Sequence, residues 1–582
     1  MSVATSKPER HDPVNRHAER VLDDYFRNLK INYPGKFEIS YTPSKAVPVL
    51  IGVPPQAPKV GIIGGGIGGL YAASLLQEYG VPFEILEASD RLGGRLLTKR
   101  MGERPNDYYA SIDAGAMRFP DTPIMEPLFR LFKKINLPLG QYQFQDKHGN
   151  STLYYNGLNK RRVDASDTAS AWEIKSIPSP WNEIGWKANV KNVVEPFAKQ
   201  LIEDYQTEGR TKGWELMMKY DKYSMKAYMA GNRSDTDPDQ LDKLRLMPYP
   251  MDVVNWCETF DKSSGWYDRA LSETVLEDLA FGWDNKPFEW KYIIGGSSKL
   301  ATTLDEYMAG RPGYIRPFFN SRVTGIGFQL TNSASRYYSH VITTTTLPCL
   351  RTMDLRSARL DYQQKAALRM LQYGPSTKIG VRFRTRWWEN DMWMKANGAY
   401  GAILGGQSYT DNMSRTVVYP SYGIGEDKGA VIIAALKCRI LQDLVEIHKF
   451  KPSTLAELEY QWEAADTHSW SNDPTTMGAF AFFGPGDFSK LYPALTRPAG
   501  GGRLHFAGEV VSVRHAWVIG ALEASARAVY AILQASYPDK ADKFEKEYGI
   551  AECWTSESLK EQLVVGASEM IPENPPGQLV GK

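Results

Sequence analysis

Three glycines and an acid carry the clearest chemistry in this chain. In Val60-Gly-Ile-Ile-Gly64-Gly-Gly66-Ile-Gly-Gly69-Leu70, an apolar run feeds directly into the pattern Gly64-x-Gly66-x-x-Gly69. The glycines divide the physical demands among them. One makes a tight turn, one lets a pyrophosphate approach backbone, and one lets a helix pack close on a strand. The helix expected over residues 70–79 would aim unpaired N–H groups and positive partial charge at phosphate. Glu87 closes the next apolar run, 23 residues after Gly64, where a carboxylate can hydrogen-bond an adenosine ribose. A lone glycine pattern among 49 glycines would say little. The strand–turn–helix–strand–acid frame around it predicts dinucleotide binding.

Two more constellations fit beside it. Gly93-Gly-Arg95 follows Glu87 closely; its arginine could meet phosphate, or could be a solvated side chain on a surface turn. Far downstream, residues 504–506 run into Ala507-Gly508-Glu509. A glycine before an acid at a strand end permits close backbone approach, and the acid can hold a ligand hydroxyl. Arg514-His-Ala-Trp517-Val518-Ile519-Gly-Ala521 then opens a helix of small residues, whose N-terminus can stabilise negative charge on a reduced cofactor ring. By composition alone Trp517 reads first as core packing and His515 as a satisfied buried histidine.

These pieces are scattered along 582 residues, too many for one ordinary core. Hydrophobic content of 42% with 12% aromatics is globular. A net charge of +2 without a basic run argues against a nucleic-acid surface. Cys257, Cys349, Cys438 and Cys553 are widely spaced and form no CxxC pair, so neither a disulfide framework nor a metal site is expected. The polar N-terminus lacks an apolar leader, and no apolar run approaches the roughly 20 residues of a membrane span. A cytoplasmic enzyme without membrane association is therefore expected. Residues 1–57 read as a polar arm holding one amphipathic helix, with Val14, Ala18, Val21, Leu22, Tyr25 and Leu29 at helical spacing, and a proline-rich linker over 53–58. Residues 121–290 read as mainly helical, including a helix over 238–244. Strands are expected at 322–328, 340–346, 377–384, 415–419 and 430–436. The economical arrangement is an α/β, Rossmann-like nucleotide fold in three pieces (58–120, 291–350 and 497–540). A helical unit (121–290) and a β-rich substrate unit (351–496) interrupt it, and a tail (541–582) follows.

In order along the chain stand Leu92-Gly-Gly-Arg95, Gly115-Ala-Met117-Arg118-Phe-Pro120, Gly295-Gly-Ser-Ser-Lys-Leu300, Asn320-Ser-Arg-Val323, Ser376-Thr-Lys378, Trp387-Trp388-Glu389, Phe506-Ala-Gly508-Glu509 and His515-Ala-Trp517. With the glycine turn and Glu87, they make the chain resemble the flavin-dependent amine oxidase superfamily, in its L-amino-acid oxidase branch, over residues 58–535. The resemblance implies a glutathione-reductase-like domain binding FAD, non-covalently because no cysteine lies near the C-terminal flavin motif. It places the FAD along Gly64, Gly66 and Gly69, with Glu87 on the adenosine ribose, Arg95 near the pyrophosphate and flavin, and Val323 backbone on adenine. Gly508 and Glu509 would lie at the ribityl-diphosphate, and Met117, Trp517, Val518 and Ile519 would frame the isoalloxazine.

Arg118 would clamp a substrate carboxylate, since a guanidinium fork matches a carboxylate in bidentate geometry; relatives acting on simple amines generally lack it. Lys378 would hold a water near flavin N5, although a strand lysine taken alone is more often solvated. Phe480 and Trp517 would wall the side-chain pocket. The implied reaction consumes an L-amino acid and oxygen and gives an α-keto acid, ammonia and hydrogen peroxide. The same scaffold also hosts amino-acid 2-monooxygenases, which yield an amide, and amine or polyamine oxidases. A homodimer through the helical insertion is a further family-level implication. One departure stands out: many members carry a carboxylate-binding tyrosine where Ala435 falls, leaving Tyr419 and the tyrosines of the insertion as candidate replacements.

Overall fold

The computed structural model describes residues 12–32, 59–101, 111–231, 247–262, 265–282, 286–327, 336–426, 429–434 and 440–548. Helix α1 (Pro13–Asn32) opens it. The Asp12 carboxylate accepts from the Val14 and Asn15 N–H groups at 2.9 and 3.0 Å, satisfying first-turn donors that have no partner within the helix. Val14, Ala18, Val21, Leu22, Phe26 and Leu29 are buried. Phe26 thus takes the stripe position expected for Tyr25, which is only partly buried. Far from being a detached arm, α1 packs against the helices Trp186–Gln206 and Leu271–Gly282. The 53–58 linker and the 238–244 helix fall outside the described residues.

The nucleotide unit begins with β1 (Val60–Ile63), helix α2 (Ile67–Glu78) and β2 (Phe83–Leu86). It is completed by β3 (His340–Thr343), β4 (Leu504–Phe506) and helix α3 (Val518–Ser536). The four strands form one parallel sheet in the order β4-β3-β1-β2, with Val60 opposite both His340 and Phe83 and Val341 opposite Leu504. Strands β1, β2 and β4 are buried throughout, as parallel strands covered on both faces must be. Three distant stretches of chain therefore build one sheet.

Helix α2 starts three residues earlier than its periodicity suggests, so Gly68 and Gly69 lie in its first turn. The glycines explain why. Gly64 has φ +106°, which disfavours other residues, and a Cβ on Gly69 would sit 2.0 Å from the Gly64 carbonyl oxygen. Helix α3 packs on α2. By length and composition it could cross a membrane, contrary to the expectation that no such run exists, but 83% of it is buried inside the protein.

The stretch 322–327 is not a strand; within it only an isolated bridge, Gly325 to Asp354, forms. Just before it, Ser321 and Asn320 donate to the carbonyls of Glu87 and Ser89, so this backbone follows the loop after β2 instead of extending the sheet. A seven-stranded mixed sheet runs in the order Trp462–Ser469, Thr377–Phe383, Ala430–Ala434, Thr416–Val418, Gln407–Thr410, Thr152–Tyr155, Leu158–Arg161. Its last two strands come from the region expected to be helical. A small antiparallel sheet joins Phe119–Pro120, Trp290–Ile293 and Leu139–Gln141. Residues 541–548 are no simple tail: the helix Pro538–Tyr548 docks Phe544 against Tyr79, ring centroids 5.4 Å apart, and 549–582 lie outside the described residues.

Candidate active site

One cavity of about 420 Å³ threads the junction of these units. Gly64 and Gly66 line one end beside the N-terminus of α2, and Glu87 and Val323 lie there too. Arg95, Gly508 and Glu509 line its middle, and Met117, Arg118, Lys378, Phe480, Trp517 and Val518 contribute further walls. Gly69 and Ile519 do not reach it. Gly69 is enclosed against the Gly64 carbonyl, and Ile519 is fully buried in the core under the first turn of α3.

At the glycine end, the Glu87 carboxylate is aimed by its neighbours. One oxygen accepts from Gly65 N–H at 2.6 Å, and the other from the N–H and hydroxyl of Ser89 at 2.8 and 2.7 Å. Arg91 also lines the cavity and had no motif to single it out; it donates to the Gly94 carbonyl at 2.8 Å and so braces the turn before Arg95. Glu509 differs from expectation. Its carboxylate accepts from Arg95 at 2.8 Å and from the Ala516 and Ala481 N–H groups at 2.7 and 2.9 Å. A buried carboxylate needs such donors, and here they tie three segments together and leave the acid less available to a ligand hydroxyl. Burial opposes the charge on Arg95, but Glu509 outweighs it and raises the arginine's pKa.

At the other end, Arg118 sits just before the Phe119–Pro120 strand. Its guanidinium stacks on Phe144 and Trp290, 4.9 and 5.6 Å from the ring centroids. Its Nη1 is buried and has no hydrogen-bond partner among the described residues. A cationic donor in that state is costly unless an acceptor arrives. Lys378, on the Thr377–Phe383 strand, donates to the Gly115 and Asp113 carbonyls at 2.6 and 3.1 Å. Burial lowers its pKa to about 8, with Asp113 opposing and Arg118 reinforcing the shift.

Trp517 caps α3 and meets Phe281 and Trp290 at 5.1 and 6.4 Å between centroids. Phe480 lies 6.1 Å from Trp266. His515 is buried as composition suggested but satisfied on one side only, its Nε2 having no partner among the described residues. Its Nδ1 pairs with Glu273 at 2.9 Å; burial pulls its pKa down, but Glu273 more than compensates and raises it.

A smaller cavity of about 40 Å³ adjoins the first, with Met117 lining both. Tyr142, Tyr292 and Tyr422 line it. Nothing in the spacing of 32 tyrosines marks these three, because separate elements bring them together. Tyr419 also borders it, but its hydroxyl is engaged by Ser408 at 3.3 Å and His448 at 2.7 Å. Position 435 lies outside the described residues.

Residues 67–533 match the family described as flavin containing amine oxidoreductase. The chain is 39% identical to L-amino-acid oxidase 4 of Hebeloma cylindrosporum, over 94% of this chain and 91% of that protein. It is 29% identical to an L-amino-acid oxidase of Siganus canaliculatus, over 80% and 84% of the two chains. Among solved structures, cyclohexylamine oxidase from Brevibacterium oxydans superposes with a TM-score of 0.58 at 16% identity, covering 82% of this chain and 99% of the other. At that identity the likeness speaks to the fold alone.

Proposed function

The chain belongs to the flavin containing amine oxidoreductases, and from that membership we propose that it is an FAD-dependent L-amino-acid oxidase. The residues present suit the cofactor: a glycine turn with no room for side chains at its tightest points, a helix N-terminus, and an oriented acid at the end of β2. Gly64, Gly66 and the start of α2 would hold the pyrophosphate, Glu87 the ribose and Val323 the adenine, while Met117 and Trp517 would border the ring system. When bound, FAD supplies an acceptor for hydride from the substrate Cα and returns the electrons to oxygen as hydrogen peroxide.

The observation that carries the choice of substrate is the buried, unpaired Nη1 of Arg118. A carboxylate would satisfy it, and a simple amine would leave a buried donor unmatched. The aromatic rings stacked on the guanidinium fix its plane, so a bound carboxylate would be oriented with its Cα held in place; such positioning is a large part of catalysis. Lys378, anchored by two carbonyls, places a polar group in the cavity wall and is suited to hold a water. The substrate amine must be neutral for hydride to leave Cα, and water then converts the imino acid to α-keto acid and ammonia.

Anaerobic mixing of the purified holoprotein with L-amino acids, D-amino acids and amines tests this. L-amino acids alone should bleach the flavin band, and aerobic turnover should yield keto acid, ammonia and peroxide. Bleaching by amines but not amino acids would overturn the proposal. Amide and carbon dioxide as products would assign a 2-monooxygenase instead.

A further inference from the structure

The tyrosine expected to assist Arg118 has no counterpart at position 435, yet the structure brings a different phenol to the same guanidinium. Tyr142 follows the Leu139–Gln141 strand, and its N–H donates to the Trp290 carbonyl at 2.8 Å. Trp290 is in turn one of the two rings stacked on Arg118. The small antiparallel sheet thus carries Arg118, Trp290 and Tyr142 on or beside its three strands. The Tyr142 side chain interacts with the Arg118 guanidinium, a donor toward its oxygen, and Tyr142 lines the small cavity that Met117 joins to the main one.

The direction of the hydrogen bonds around Tyr142 is informative. Tyr409 donates its hydroxyl proton to Gln407 Oε1 at 2.9 Å. That fixes the amide so that Gln407 Nε2 points at the Tyr142 oxygen and donates to it at 3.3 Å. Tyr142 is therefore an acceptor on its buried side, and its own proton is left for a partner in the cavity. An arginine N–H cannot take that proton, because guanidinium only donates. A ligand acceptor next to Arg118 can.

We propose that Tyr142 is the second arm of the carboxylate clamp. In this arrangement its hydroxyl donates to one substrate carboxylate oxygen while Arg118 binds the carboxylate from the other side, with Tyr409 and Gln407 setting the polarity. The inference rests on the amino-acid oxidase reading given above. It makes Tyr142 a binding and positioning residue, drawn from a different element than the Ala430–Ala434 strand whose end lacks the family tyrosine.

Benzoate, a carboxylate without an oxidisable amine, is the probe, and perturbation of the visible flavin spectrum is the readout. Tyr142→Phe keeps the ring and should keep the flavin. It should weaken benzoate about tenfold and raise KM for L-amino acids by a similar factor, with a smaller change in kcat. Gln407→Leu should weaken benzoate in the wild-type background and add little in the Tyr142→Phe background, which a merely structural role would not produce. Arg118→Lys serves as the control for the clamp itself. If Arg118→Lys abolishes benzoate binding while Tyr142→Phe matches wild type, Tyr142 is not part of the clamp and the oxidase reading stands. If holoprotein neither binds benzoate nor is bleached by amino acids, both readings fall.

Discussion

Lys378 donates to two carbonyls deep in the protein, and burial brings its pKa to about 8. The unfolded chain holds that lysine protonated up to about pH 10.4. Between these values the unfolded state binds more protons, so stability declines as pH falls from about 10 to 8 and stays lowered below that. Lys378→Met should therefore raise the melting temperature at pH 7 more than at pH 10. It should also slow flavin turnover and erase an activity inflection near pH 8. A variant that is no more stable and equally fast would show that Lys378 is neither strained nor used. Neither Lys378 nor Arg118 is distinguishable by spacing from an ordinary surface residue; only their place in ordered motifs marks them. Tyr142 is marked only as one of the many tyrosines of the insertion, because its role depends on a hydrogen bond from Gln407, a residue 265 positions away.

Helix α1 shows what periodicity does and does not convey. Its apolar stripe is readable as buried, but the sequence does not say against what, and the answer is the helices Trp186–Gln206 and Leu271–Gly282. Arg514, just before α3, reaches the Asp12 that caps α1 and the Glu523 of α3 itself. Within α1, both ring nitrogens of His17 are buried without partners among the described residues, and burial lowers its pKa to about 4. Its folded form stays neutral while the unfolded chain protonates below about pH 6.5, so stability falls as pH drops through that window, by up to about 1.4 kcal/mol per unit. His17→Leu should raise thermal stability, and the gain should be larger at pH 5 than at pH 8; an equal gain at both would assign it to packing alone. Other elements are less legible. Trp462–Ser469 alternates poorly because its residues are only half-buried, and the Thr152–Arg161 hairpin hides among helices because its neighbours in the sheet lie far away in sequence.

At the scale of the whole molecule, the glycine turn and its acid reveal the nucleotide fold because that chemistry is local, held within the β1–α2–β2 unit. The remaining half of the sheet is not local. Strand β3 joins β1 only after the helical insertion, and β4 joins β3 only after the seven-stranded sheet. Glu509, in the last segment, ties Arg95 of the first segment to Ala481 of the substrate unit and to Ala516 of its own segment. A chain ended at residue 500 should thus be colourless and poorly soluble, although it retains the glycine turn and Glu87; a yellow, soluble fragment would show that the first segments suffice. A ribosome making this protein holds an unfinished cradle until the residues after 500 have left it. Such late closure between distant partners slows folding and leaves apolar surface uncovered in the meantime. Cofactor supply and chaperone capacity would then govern how much active enzyme a cell obtains from each transcript.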